Sequence, residues 1–301
     1  MKNTFLTDLM KYAEVTNERE IQMEKENLIN KKNVISNRKL HFDKLSQIKL
    51  TNTLDYYTKK ISTFLKTDNL ITGHSDGSIY FNNNLFFKSN YPIIFSFYAE
   101  NHFFIDSIGN IFKEDQLIYK LGTRITSFDY HKELKLLLCS DISNKIYCID
   151  INKLQPIFKN DFKEQKSIKI HKYGNIFLCN DNDCNLVDLR SMNIIHNFSK
   201  NVTISSFLGN NDVICCIDNQ IICYDLRFLE IKGRILSHKH NITSIICKDV
   251  CYTSNLEGEL CISSPQLSLI HKEMKLNKIK FLSVCKDEIA VIENNIKIFS
   301  Y

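Results

Sequence analysis

VICCIDNQIICY occupies residues 213–224 and predicts a β-hairpin, because two apolar runs flank the turn-forming residues Asp218 and Asn219. The second run ends in an apolar pair, Cys223-Tyr224. An apolar run, a short polar turn and a second run that ends in an apolar pair recur along the chain. Repetition of one strand–turn–strand unit therefore decides the fold.

The repeats are regular in length. The second residues of the apolar pairs lie 31, 37, 38, 37, 38 and 37 positions apart, which gives seven units. The pairs are Tyr80-Phe81, Ile111-Phe112, Cys148-Ile149, Leu186-Val187, Cys223-Tyr224, Cys261-Ile262 and Ile298-Phe299. Each hairpin also has an apolar run before it and most have an outer run after it, so we expect four strands in each unit.

A four-stranded sheet of this length cannot bury both of its faces alone, but sheets arranged radially cover one another. The sequence therefore predicts an all-β fold, a seven-bladed β-propeller over residues 45–301. The last unit ends at Tyr301 without room for its outer strand, whereas an extended segment, Gln47–Leu54, precedes the first unit. We expect this N-terminal strand to close the ring.

The units resemble the WD-repeat family, in which a Gly-His, a turn Asp and an aromatic-Asp at the end of the third strand mark each repeat. VDLR at Val187–Arg190 and YDLR at Tyr224–Arg227 stand at the Trp-Asp position, and SHKHNITSI stands at the Gly-His position. The resemblance implies a WD40-type propeller. It also implies structural roles for Asp76, Asp150, Asp188, Asp225 and His238.

Residues 1–44 predict a helical N-terminal extension. Phe5, Leu6, Leu9, Met10 and Ala13 fall on one helical face, and a charge-dense stretch follows them. Such an apolar stripe either packs against the chain's own propeller or binds a partner. Phe5 and Leu9 are therefore candidate interaction residues.

Composition and charge exclude several classes of protein. With 44% hydrophobic and 24% charged residues, the chain is neither disordered nor fibrous. Its formal charge of +5, from 39 basic and 34 acidic residues, is milder than that of dedicated nucleic-acid binders. The N-terminal sequence lacks an apolar signal segment, so we expect an intracellular chain that is not secreted and has no membrane partner. In that location its eleven cysteines should stay reduced. We expect most of them to be small apolar strand residues.

No pattern predicts catalysis, a cofactor or a metal. Gly73-His74-Ser75-Asp76-Gly77 matches the G-x-S-x-G of hydrolases, but strand-like sequence follows it where that motif needs a helix. His238 and His240 lack a third ligand at regular spacing, and no C-x-x-C occurs. We therefore expect a protein that is not an enzyme, without cofactor or small-molecule substrate.

Arg190 and Arg227 are candidate interaction residues. They place Asp-x-Arg in two consecutive units, which resembles the pattern of WD-repeat substrate receptors that dock onto adaptors of cullin-type ubiquitin ligases. The alternative is structural, with each arginine paired to an acidic residue of the next blade.

The order of motifs also resembles the BING-type WD-repeat proteins of the small-subunit processome, which are associated with the U3 small nucleolar RNA. The Ser-Gln of that family corresponds here to Leu45-Ser46-Gln47, and its Val-Asp corresponds to Leu54-Asp55. The Lys and Phe with which that family enters the first blade correspond to Lys60 and Phe64. Its Trp-Asp-Leu-Arg step resembles YDLRFLEI.

This second resemblance implies a structural subunit of a nucleolar complex that assembles the small ribosomal subunit and serves rRNA processing. Its partners would be other protein subunits, together with pre-rRNA or U3 RNA. The alternatives are a substrate receptor of a cullin-type ubiquitin ligase and a Gβ-like scaffold. The cytoplasm is the alternative to a nuclear, nucleolar location.

Overall fold

A computed structural model describes residues 48–54, 61–153, 155–161, 167–265, 268–285, 288–293 and 295–300. Over these residues the chain is a seven-bladed all-β propeller, as the repeat predicts. The predicted helix at 1–44, with Phe5 and Leu9, lies outside the described residues, as do 45–47, Asp55 and Lys60. No helix in the described part is long and apolar enough to cross a membrane.

The described residues form short strands joined by turns. In chain order the strands are β1 (Lys49–Leu54), β2 (Ile61–Lys66), β3 (Leu70–His74), β4 (Ser78–Phe81), β5 (Asn84–Lys88), β6 (Ile93–Ala99), β7 (Asn101–Asp106), β8 (Asn110–Lys113), β9 (Gln116–Lys120), β10 (Ile125–His131), β11 (Leu136–Asp141), β12 (Lys145–Asp150), β13 (Gln155–Asp161), β14 (Ser167–Ile170), β15 (Ile176–Asn180), β16 (Asp183–Asp188), β17 (Ile194–Lys200), β18 (Ile204–Leu208), β19 (Asp212–Ile217), β20 (Gln220–Asp225), β21 (Glu230–Leu236), β22 (Ser244–Cys247), β23 (Cys251–Ser254), β24 (Glu259–Ser264), β25 (Leu269–Lys275), β26 (Phe281–Cys285), β27 (Glu288–Ile292) and β28 (Ile296–Ser300). Consecutive groups of four from β2 to β25 make blades 1 to 6, each a four-stranded sheet.

Blade 7 combines both ends of the propeller chain, in the order β1-β28-β27-β26. β1 runs antiparallel to β28, with Leu50 opposite Phe299, and Thr51 Oγ1 donates a hydrogen bond to the carbonyl oxygen of Ile298 at 2.9 Å. The innermost strand of this blade, β26, contacts β2 of blade 1. The predicted closure of the ring by the N-terminal strand is confirmed.

Adjacent residues of one strand pack against different neighbouring blades. In β11, Leu137 belongs to the core shared with Phe103 of blade 2, whereas Leu138 belongs to the core shared with Phe177 of blade 4. Side chains alternate across a strand, so a sheet that is covered on both sides needs apolar residues at consecutive positions. This requirement explains the unbroken apolar runs that mark each repeat.

The cysteines follow the same rule. Cys215 packs in the core between blades 4 and 5, and Cys216 packs in the core between blade 5 and the strands of blade 6. Nine of the eleven cysteines are buried free thiols, and Cys247 and Cys285 are half-buried. Burial raises the pKa of the Cys148 thiol to about 12, which keeps it neutral. The cysteines therefore act as small apolar residues, as expected.

Burial decreases from the second strand of a blade towards its edge. All five residues of β3 are buried, whereas no residue of the outer strand β9 is fully buried. Outer strands therefore tolerate charged and polar side chains. On the two sides of the ring, the turns at the ends of the blades face solvent.

Closure of the ring predicts a difference between two truncations. Removing residues 1–55 deletes β1 and leaves β28 as an unpaired edge, so we expect aggregation and a lower melting temperature. Removing residues 1–35 keeps β1 and should have a smaller effect. Size-exclusion chromatography and thermal unfolding measure both; a monomeric 56–301 chain with unchanged melting would contradict this arrangement.

The G-x-S-x-G sequence forms the hairpin between β3 and β4, as predicted, with strand on both sides. The N–H of Gly77 donates to the carbonyl oxygen of His74 at 3.1 Å, which closes a four-residue turn, and Ser75 is exposed in it. Gly77 has φ +85°, and a Cβ at this position would collide with the carbonyl oxygen of Ser89 and lie 2.9 Å from that of Tyr91. A turn of this kind depends on glycine, not on the serine hydroxyl.

We therefore expect Gly77→Val to lower the free energy of unfolding by more than about 2 kcal/mol and Ser75→Ala to change it by less than about 0.5 kcal/mol. Urea unfolding of the two variants beside the unaltered chain measures the difference. Equal stability of Gly77→Val and Ser75→Ala would show that the turn does not constrain this position.

Candidate protein-binding face

In antiparallel blades, the first-to-second turn and the third-to-fourth turn emerge on the same side of the ring. We name this side the arginine face; it comprises the turns at 132–135, 171–175, 189–193, 209–211, 226–229 and 248–250, with the equivalent turns of the other blades. Contacts between neighbouring blades connect these turns. Lys135 Nζ pairs with Glu100, and Asn210 Nδ2 donates to the Tyr173 hydroxyl at 3.0 Å.

Arg190 lies in the third-to-fourth turn of blade 4 and is held by Asp188. Its backbone N–H donates to Asp188 Oδ1 at 2.8 Å, and its Nη2 donates to Asp188 Oδ2 at 3.0 Å. Burial alone would raise the pKa of Asp188. The hydrogen bonds that its carboxylate accepts from Arg190 and Ser191 outweigh this effect, so the pKa lies below its ordinary value. The arginine side chain remains 75% exposed, so its guanidinium is presented to solvent in a fixed direction.

Arg227 occupies the equivalent turn in blade 5, where it forms a shorter and more extensive hydrogen-bonded pair with Asp225. Nε and Nη2 donate to the two carboxylate oxygens at 3.0 and 2.6 Å, a bidentate pair that lowers the pKa of Asp225 to about 2. The guanidinium carbon lies 5.3 Å from the centre of the Phe228 ring, and Phe228 is 68% exposed. Arginine and aromatic residues are both enriched in protein–protein interfaces.

The structural alternative paired each arginine with an acidic residue of the next blade, and that partner was wrong. Each arginine pairs with the aspartate two residues before it in the same blade, because that aspartate ends a strand and accepts N–H groups of the following turn. A next-blade partner is not found for either arginine within the described residues. The pairs fix the arginines without covering them.

An aromatic row extends the arginine face across blades 1 and 2. Phe86 stacks on Phe81 at 4.4 Å between ring centres, Phe81 contacts His102 at 4.7 Å, and His102 contacts Tyr98 at 4.9 Å. Phe86 and Tyr98 are exposed. The sequence analysis named Phe81 only as a repeat marker and did not single out Phe86, Tyr98 or Phe228 as binding residues; aromatic residues at strand ends next to turns were the available signal.

The aspartates at the Trp-Asp position share one role. Asp150, Asp188 and Asp225 each end the third strand of a blade, and each accepts the backbone N–H of the residue two positions later, at 2.8 to 2.9 Å. Asp76 lies instead in the turn between β3 and β4, where it accepts the Ser78 N–H at 3.2 Å. All four carboxylates stabilise turns.

His238 is buried in the connection that enters blade 6. Its Nε2 lies 2.9 Å from Thr253 Oγ1 on β23, and its Nδ1 lies 3.6 Å from Glu259 Oε2 on β24. Burial lowers the pKa of His238, against an opposing effect of Glu259. His240 is exposed, and within the described residues no three His, Cys, Asp or Glu side chains are grouped so as to hold a metal ion. His238 therefore joins a connection to its blade.

Comparisons with known proteins agree with the fold. No family model matches the chain, and no curated protein matches it in sequence. Among solved structures, the WD40 β-propeller domain of Doa1 is similar, with a TM-score of 0.69 and 13% identity over 84% of this chain and 97% of that domain. This likeness supports the WD40-type propeller fold.

Three histidines make stability depend on pH. Burial lowers the pKa of His102, His171 and His238 below the ordinary value of 6.5. The unfolded chain then binds more protons than the folded chain as the pH falls below that value, so the free energy of unfolding should decrease between about pH 7 and pH 5.

His238→Gln should be less stable at pH 7 and should show a smaller decrease towards pH 5, since it removes one of the three groups. His240→Gln, which alters an exposed histidine of the same connection, is the matched control and should keep the full decrease. Urea unfolding at both pH values measures this; an unchanged pH dependence in His238→Gln would contradict the assignment.

Proposed function

We propose that this chain is a non-catalytic scaffold that binds other protein subunits through its arginine face. The observation that carries the proposal is the exposed Arg227–Phe228 pair, whose guanidinium is fixed by Asp225. Because Asp225 already orients the arginine, binding a partner orders little additional side chain, which favours affinity. Arg190 and the aromatic row of blades 1 and 2 add further exposed contacts on the same side.

We further propose that the partners belong to a nucleolar complex that assembles the small ribosomal subunit. The ordered resemblance to BING-type proteins, from Leu45 to Ile231, supports this proposal. The mild charge of +5 favours contacts mainly to protein, with pre-rRNA or U3 RNA held weakly. The function is positional: the ring presents fixed turns to which neighbouring subunits bind.

A second candidate is a substrate receptor of a cullin-type ubiquitin ligase. One observation favours it: Arg190 and Arg227 occupy equivalent turns of consecutive blades, and both side chains are more than half exposed. In this case the arginine face would bind the ligase adaptor, and no RNA would accompany the chain.

Affinity purification of the tagged full-length chain from its own cells, with identification of protein and RNA, distinguishes the two candidates. The ribosomal proposal expects nucleolar fluorescence, small-subunit assembly proteins and U3 RNA, and it expects depletion to impair small-subunit rRNA processing. Exclusion from the nucleolus, with a cullin adaptor and no U3 RNA, would contradict it and support the ligase.

The binding face is tested by combining Arg190→Ala, Arg227→Ala and Phe228→Ala. We expect about a tenfold loss of the captured partner proteins, because exposed arginine and aromatic residues carry much of the binding energy of an interface. Arg124→Ala, an exposed arginine in the connection between blades 2 and 3 on the opposite side, is the control and should retain the partners. Equal capture by all variants would show that another surface binds them.

A further inference from the structure

The innermost strands of four consecutive blades end around a cavity on the arginine face. β10, β14, β18 and β22 contribute the residues that line it, and its volume is about 510 Å³. We name this cavity the channel mouth. Cavities of about 300 to 1,000 Å³ hold ligands of a few side chains, so the channel mouth has room for part of a peptide but not for a folded domain.

The charge of the channel mouth is positive. Lys132, Lys169, Lys172 and Lys248 line it against two carboxylates, those of Asp129 and Glu133, which leaves a net charge of +2. Lys169 forms a salt bridge, with its Nζ 3.0 Å from Asp129 Oδ1. The salt bridges found within the described residues do not involve the other three lysines.

The three remaining lysines are exposed, and each stands in a first-to-second turn: Lys132 in blade 3, Lys172 in blade 4 and Lys248 in blade 6. His131 Nε2 lies 2.6 Å from the carbonyl oxygen of Lys172, and His171 Nε2 lies 2.9 Å from that of Asn210. The Lys172 ammonium also lies 4.8 Å from the centre of the Tyr173 ring. The turn that carries Lys172 is therefore fixed to blade 3, and its ammonium lies against the Tyr173 ring at the cavity.

Apolar side chains form the inner wall below these lysines. Ile170, Phe207, Ile245 and Ile246 line the cavity, and the Phe207 ring packs edge-on against His171 at 4.8 Å between ring centres. A positive rim above an apolar wall complements a segment in which carboxylates alternate with apolar side chains. RNA fits less well, because a net charge of +2 neutralises few phosphates.

We infer that the channel mouth binds an acidic peptide segment of a partner protein, with carboxylates at Lys132, Lys172 and Lys248 and an apolar side chain against Phe207. This inference rests on the proposed function, since it names the chemistry of one partner of the scaffold. The peptide would lie across the ends of the inner strands of blades 3 to 6.

A fluorescein-labelled short peptide of alternating glutamate and leucine tests the inference by fluorescence anisotropy with the full chain. We expect saturable binding, and a rise in Kd of about tenfold or more in Lys172→Glu and, separately, in Lys248→Glu. Both positions are exposed, so charge reversal should leave the fold intact, which thermal unfolding checks. Lys120→Glu, at the end of the outer strand β9, is the matched control and should bind as tightly as the unaltered chain.

A glutamate–serine peptide of the same length should bind more weakly, because it cannot use the apolar wall. The inference is overturned if the glutamate–leucine peptide fails to bind, if both mouth variants bind it as well as the control does, or if single-stranded RNA binds at the mouth in its place. These outcomes are independent of the partner capture described above: partners captured without peptide binding would reject only the channel mouth, and absent partners would reject the scaffold proposal.

Discussion

Burial of both faces of every blade is the constraint on which the rest of the structure depends. Leu137 and Leu138 are neighbours in sequence, yet they pack against blades on opposite sides of their own sheet. A sheet with two apolar faces is stable only between two other sheets, so a row of such sheets must close on itself. Closure is supplied by β1, whose pairing with β28 brings the two ends of the propeller chain into one blade.

The ring leaves the turns as the surface on which function can differ between propellers. Here the aspartates that end the third strands stabilise the turns that follow them, and in blades 4 and 5 the same carboxylates also hold an arginine. One structural residue thus positions one binding residue. The channel mouth shows a comparable arrangement, since His131 of blade 3 contacts the carbonyl oxygen of Lys172 and so fixes the turn that carries this lysine.

Much of the fold could be predicted from the sequence, because each repeat is a hairpin pattern contained in a short stretch of consecutive residues. Apolar runs and turn residues such as those of VICCIDNQIICY mark hairpins at a constant period, and the missing outer strand of the last unit indicated that an N-terminal strand closes the ring. The helix predicted at 1–44 stays a prediction. The arginines were recognised, but their partner was not: each turn brings the arginine side chain back to the aspartate two residues before it, and sequence spacing does not show this.

The channel mouth could not be found in the sequence, since its lysines are distant in the chain. Lys132 and Lys248 belong to different blades, and only the radial arrangement brings them to one cavity. Phe228 was missed for another reason: a single exposed aromatic residue in a turn resembles the apolar strand residues around it until the strand boundaries are known.

The closed ring is the central feature of the fold, and a cross-link between β1 and β28 tests it directly. Thr51 Oγ1 and Ser300 Oγ lie 3.2 Å apart although 249 positions separate the two residues. In dilute, oxidised protein carrying Thr51→Cys and Ser300→Cys, peptide mass spectrometry should find an intramolecular disulfide between positions 51 and 300. The melting temperature should rise, because the link restricts the unfolded chain. Disulfides only between separate chains, or none between these positions, would contradict a propeller closed by its N-terminal strand.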